Sequence, residues 1–186
     1  MTDLELIDTV VPYIEAAIAS QGWPFLVVQK DQPTQQGVPS IGTVFFELLF
    51  NIEYGSPATE NQYNAASNQF DEIETQLVIT TIQISALIPQ DPKNIDQPTA
   101  NDVLQYVKRY VASRNIAREL VKKKVNIYRV SEVRAQWFED DNHQFSNHPN
   151  FDLEVTHSGK VTFSVAAVDR CDPLEVPPYG SGTFPV

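Results

Sequence analysis

Glu139, Asp140, Asp141, His143 and His148 are the side chains best supplied for chemistry, five potential metal ligands or acid/base groups in one short stretch. Their order matches no familiar site. There is no HExxH pair, no twin-cysteine knuckle and no calcium loop with its central glycine. The polar stretch 139–150 is therefore expected to be a structural loop. A metal-dependent hydrolase built on Asp140, Asp141, His143 and His148 is the rival reading. His157 lies beside an expected turn and reads as solvated. Cys171 is the only cysteine, so it has no internal disulfide partner, and its Pro-rich surroundings supply no activating base. A single thiol suits a reducing compartment. Seven glycines leave little room for a phosphate-cradling loop. These residues predict no catalytic group, no cofactor and no bound metal.

The elements that would position any site follow from hydrophobic spacing. Leu6, Ile7, Val10, Val11, Ile14, Ala17 and Ile18 recur at helical intervals, with Pro12 expected to kink or divide the helix. Residues 23–29 read as a short strand before a turn-rich segment, 30–40. From Thr43 to Tyr54 the alternation is regular, which predicts a strand with Val44, Phe46, Leu48, Phe50, Ile52 and Tyr54 on one face. A polar loop, 55–69, then leads to a second long strand, 73–87. Its alternation changes phase near residues 79–82, implying a bulge or burial on both faces.

Thr99 and Asp102 form the ends of a capping box, so a helix should begin there and bury Val103, Leu104, Val107, Tyr110 and Val111. Asn115 either ends this helix or opens a further turn through Ile116 and Leu120. Residues 125–130 and 151–156 read as strands, and Ser158-Gly159 as a turn pairing the latter with 161–168. The predicted fold class is α+β: a mostly antiparallel mixed sheet with a long two-stranded element, flanked by two or three helices. The expected domains are a single unit over 1–170 and a Pro-rich extended arm over 171–186.

Size and charge narrow the function. At 186 residues with 42% hydrophobic content, the chain can bury one core. It shows no charged-then-apolar leader and no apolar run long enough to span a bilayer, so no membrane partner is expected. The net charge of −11 is unevenly spread. Residues 1–107 hold 2 basic and 14 acidic side chains, 108–134 hold 9 and 2, and 135–186 hold 2 and 8. An acidic body with one basic island disfavours nonspecific DNA binding. The island, with Lys108, Arg109, Arg114, Arg118, Lys122, Lys123 and Lys124, reads either as a solvated helix face suited to the helix dipole or as a docking patch. Opposite charges on one chain would favour head-to-tail assembly of identical copies.

The order of features resembles the neck and tail terminator (tail completion) proteins of tailed bacteriophages over roughly residues 1–170. The resemblance rests on the Thr81-Ile82-Gln83-Ile84-Ser85-Ala86 strand, the helix with Leu104 and Val107, the 125–130 strand, and Asn150-Phe151-Asp152-Leu153. The 55–69 loop and the Pro-rich tail have no counterpart in that pattern. Such a resemblance implies a structural virion protein that forms a homo-oligomeric, hexameric ring at the head-proximal end of a tail. The ring ends tube polymerisation and joins tail to head connector.

The implied partners are the tail tube protein, a head connector or head-completion protein, and the sheath. DNA passes through the lumen without specific binding, and assembly takes place in the host cytoplasm. Lys108, Arg109, Arg114, Arg118, Lys122, Lys123 and Lys124 are then expected at contacts between subunits. Glu60, Asn61, Tyr63, Phe70 and Asp71 are expected at contacts with tube or connector. Other ring-forming virion parts, a head-completion or tail tube protein, are the nearest alternatives.

Overall fold

The chain is described by a computed structural model over residues 1–30, 41–67, 69–90, 93–94, 96–135, 137–139 and 145–166. Helix α1, Asp3–Ser20, begins at a Thr2–Glu5 capping box. Pro12 sits inside it, yet the helix is continuous. Leu6 and Val10 before the proline, and Ile14, Ala17 and Ile18 after it, are buried on one stripe, so core packing holds both halves in line. Strand β1 (Leu26–Gln29) pairs in parallel with β2 (Thr43–Asn64), and β2 pairs antiparallel with β3 (Gln69–Leu87).

Helices α2 (Ala100–Val111) and α3 (Arg114–Lys122) follow, the first opened by the expected Thr99–Asp102 capping box. Strand β4 is Asn126–Val130. A small hairpin, β5 (Trp137–Glu139) with β6 (Phe145–Asn147), flanks positions 140–144. The last described strand, β7, is Asn150–Ala166. The five-stranded sheet has the order β1-β2-β3-β7-β4, mixed and mostly antiparallel, so the fold class is α+β as the sequence indicates.

Three expectations for the sheet change, each for a physical reason. The 55–69 segment is not one long loop: β2 runs on to Asn64 and β3 starts at Gln69, because Ala58–Asn64 pair residue by residue with Gln69–Thr75. Ser158-Gly159 is not a turn. Gly159 lies within a continuous β7 opposite Gln76, where a Cβ would meet Val78 Cγ2 at 3.1 Å, so the glycine serves a close approach between strands. The long element is consequently three strands wide.

The third change concerns the phase of β2. A register shift between Leu48 and Phe50 moves Phe50, Ile52 and Tyr54 to the face opposite Val44, Phe46 and Leu48. The irregularity suspected near residues 79–82 thus falls on the neighbouring strand. Thr80, Thr81 and Ile82 in β3 are all buried, so both faces are covered there.

The inner half of the sheet and the helices share one core. Val44, Phe46, Ile82, Ile84, Phe151 and Leu153 pack with Leu6, Ile14, Val103, Leu104, Val107 and Leu120. Where this slab ends, a polar relay crosses three strands. Thr80 Oγ1 donates to Asn51 Oδ1 at 2.7 Å and lies 2.9 Å from His157 Nε2. With its one proton already given to Asn51, Thr80 must accept from His157 Nε2–H, which fixes the neutral tautomer. His157 is buried, and Nδ1 has no hydrogen-bond partner among the described residues. The solvated histidine expected from sequence is therefore a core residue.

Burial first, and then repulsion from the N-terminal ammonium, hold the His157 pKa below its usual value. The unfolded chain then binds a proton that the folded chain refuses. Stability should be full above the ordinary histidine pKa and fall as pH drops below it. Urea midpoints compared at pH 7.5 and 5.5 should show this loss, and it should shrink in His157→Gln.

Candidate assembly surfaces

The basic island lies on α2, α3 and the turn into β4. Lys108 does not offer its charge outward: its side chain is 16% exposed and pairs with Glu132 at 2.6 Å. Lys122 pairs with Glu119 at 2.6 Å, an interaction that raises the lysine pKa, and Lys123 Nζ lies 5.0 Å from the centre of the Tyr13 ring. Arg134, which closes the basic stretch, is bound to Asp152. Arg109, Arg114, Arg118 and Lys124 are exposed and form no ion pair among the described residues. Lys124 takes φ +64°, ending α3 as the chain enters β4. The structure thus divides the island into cations engaged within the fold and a smaller outward group.

The second surface is one that sequence reading misplaced as a loop. Strand β1 meets β2 only at Thr43–Phe46, and β4 meets β7 only at Leu153–Thr156. Beyond these contacts β2, β3 and β7 continue together as a three-stranded blade projecting from the slab. At roughly 3.3 Å per residue, the part of β2 after Leu48 reaches about 50 Å. Every β2 residue from Leu49 to Tyr63 is exposed.

Ten of the fifteen large hydrophobic side chains exposed among the described residues stand on this blade. Phe50, Ile52, Tyr54 and Leu77 share one face beside the slab, while Tyr63, Phe70, Val161, Phe163 and Val165 share the other toward the tip. Tyr63 and Phe70 stack at a centroid distance of 5.3 Å. Asp71 accepts hydrogen bonds from Asn64 Nδ2 at 3.1 Å and Ser164 Oγ at 3.2 Å. Glu60 and Asn61 are exposed on the outer edge of β2. The structure therefore places Glu60, Asn61, Tyr63, Phe70 and Asp71 on one projecting hairpin. A two-faced apolar display of this extent is the kind of surface through which proteins meet partners.

Of the metal-site residues weighed from sequence, Asp140, Asp141 and His143 lie outside the described residues, as does Cys171. His148 is half-buried, 6.4 Å from the Phe45 ring, and burial lowers its pKa. Among the described residues, no three His, Cys, Asp or Glu side chains group as metal ligands. No described helix is long and apolar enough to cross a membrane.

Fold and surface together define an α+β domain whose sheet outgrows its own core and presents apolar faces for assembly. The chain belongs to the family described as E217 gateway protein gp29, whose family model it matches over residues 5–167. Among solved structures it is similar to the sheath/tube terminator of an extracellular contractile injection system, PVC, seen in its extended state by cryo-EM. That likeness has 13% identity and a TM-score of 0.48, covering 92% of this chain and 62% of that one. The chain thus spans less than two thirds of that protein's length. No curated protein matches it.

Replacing Lys108 by Ala should lower stability by about 0.5–1 kcal/mol, because its stem is packed and its charge is paired. Arg118→Ala should leave the denaturant midpoint of the isolated chain unchanged.

Proposed function

We propose that this chain is the subunit of a ring at the head-proximal end of a phage tail, where it ends growth of the tube and joins the tail to the head connector. The observation that carries the proposal is the blade: three paired strands whose faces, edges and tip stand largely open among the described residues, built on an otherwise well-packed domain. Membership of the gateway protein family supports it. The mechanism is surface fit. A growing tube offers an unpaired surface to the next ring, and a cap that occupies this surface without presenting an equivalent one stops the addition.

Identical copies associate head to tail, with the outward cations Arg109, Arg114, Arg118 and Lys124 meeting the acidic body of a neighbour. The hairpin tip, around Phe70 and Asp71, is left to meet tube, connector or sheath. An excess of carboxylates around the opening repels phosphates, so DNA slides through without sticking. No reacting group takes part, and the place of action is the neck of the virion.

Native mass spectrometry and negative-stain microscopy test the reading. Purified chain at low salt and high concentration should form one discrete ring with a central opening, and the doubly reversed Arg114→Glu, Arg118→Glu chain should shift toward monomer. Open-ended tubes would make it a tube protein instead. A solitary chain, even with tail partners supplied, would end the proposal.

A further inference from the structure

Resting on the ring reading, we infer that neighbouring copies join by pairing the outer edge of β7 with the outer edge of β2 in the next copy, strands parallel, to make one continuous belt of sheet. The inference begins from edges. A strand edge exposes a row of unpaired amide and carbonyl groups, and folded proteins blunt such edges with prolines, bulges or charges. The two edges of this blade are treated differently. On β2, Pro57 and a register shift between Tyr54 and Ala58 break the row in the middle. What remains beyond them is an uninterrupted stretch from Ala58 to Asn64. On β7, the stretch Lys160–Ala166 carries neither proline nor bulge and only one charge.

These two stretches, unpaired on their outer sides among the described residues, are level with one another. Through β3, Ala58 and Lys160 both pair with Thr75, and Asn64 and Ala166 both pair with Gln69. Each blade therefore offers edges of equal length at equal height on its two sides. Strands β2 and β7 both run from slab to tip, since each is antiparallel to β3. A ring axis along the blade preserves that direction in every copy, so β7 of one subunit meets β2 of the next in parallel, the two edges being different surfaces as a ring requires.

Side chains agree with this pairing. Lys160 is the only cation on a blade with five acids, Glu53, Glu60, Asp71, Glu72 and Glu74. Lys160 shares its face with Glu60, which stands two residues nearer the tip on the opposite edge. In the joined belt Lys160 becomes a diagonal neighbour of Glu60 in the next copy, within reach of a long side chain. On the other face, Val165, 45% exposed, comes level with Tyr63, 52% exposed, of the next copy. The same junction thus satisfies main-chain groups, places opposite charges together and covers apolar area that one copy leaves wet.

Oligomeric state by native mass spectrometry tests the pairing, with far-ultraviolet circular dichroism as the control for folding. Adjacent amides of a strand point to opposite edges, so one of Thr162→Pro and Phe163→Pro removes an outward N–H while keeping the contact with β3. The variant that keeps the wild-type spectrum should lose the ring and run as monomer. Lys160→Glu and Glu60→Lys should each reduce the ring fraction, and the double exchange should restore it, a readout independent of any proline effect. Rings that persist in the folded proline variant and in both charge variants overturn the pairing and leave the ring reading standing. Dimers alone in the wild type overturn it in favour of like-edge contact. A wild-type chain that never forms a ring removes the reading and the pairing together.

Discussion

Strand β3 is the part on which the rest of the molecule depends, because its main chain is bonded on both sides along most of its length, to β2 on one flank and β7 on the other. A peptide group withdrawn from water without a partner costs free energy comparable to a lost hydrogen bond, so a long polar strand persists only where neighbours match it residue by residue. That matching lets the sheet continue past the point at which helices stop covering it. The inner half is held by burial of Ile82, Ile84, Phe151 and Leu153 beneath the helices. The outer half is held chiefly by pairing and by a few local contacts such as Asn64 and Ser164 with Asp71.

How much of this the sequence disclosed depends on whether the controlling interaction was local. Capping at Thr99 and Asp102, the apolar stripe of α1 and the inner part of β2 lie within a few residues of their causes, and all were legible. The polar part of β2 was not. Residues such as Thr59, Asn61, Gln62 and Asn64 carry turn-like composition, and only the partner strand 69–75 makes them extended. Gly159 misled for a similar reason, since a glycine beside a serine reads as a turn unless the close approach of Val78 is known. His157 looked solvated because the assumed turn would have placed it at the surface, whereas an unbroken β7 places it inside.

The candidate surfaces were legible as residue types more than as arrangements. A cluster of lysines and arginines is visible in any reading of the chain, yet nothing in the string says that Lys108 is tied to Glu132, or that Arg134 reaches Asp152 on β7. Such pairings span separate elements and turn part of an apparent binding patch into internal structure. Glu60, Asn61 and Tyr63 were placed on a supposed loop, with Phe70 and Asp71 just beyond it. Their true carrier is a paired hairpin, with Tyr63 and Phe70 facing one way and Asp71 the other by strand alternation.

The register shift between Leu48 and Phe50 lets one chain segment speak to two audiences. Had the alternation remained in phase, Phe50, Ile52 and Tyr54 would extend the seam that faces the helices, at a level where the first turn of α1 meets the strand with polar groups, Asp3 accepting from Asn51 Nδ2 at 3.2 Å. One extra residue rotates the remainder of the strand by half a turn, so the same run of aromatic and aliphatic residues serves the protein's own interior first and the outside world afterwards. Loss of that residue would leave the composition almost untouched and exchange inside for outside along everything beyond it.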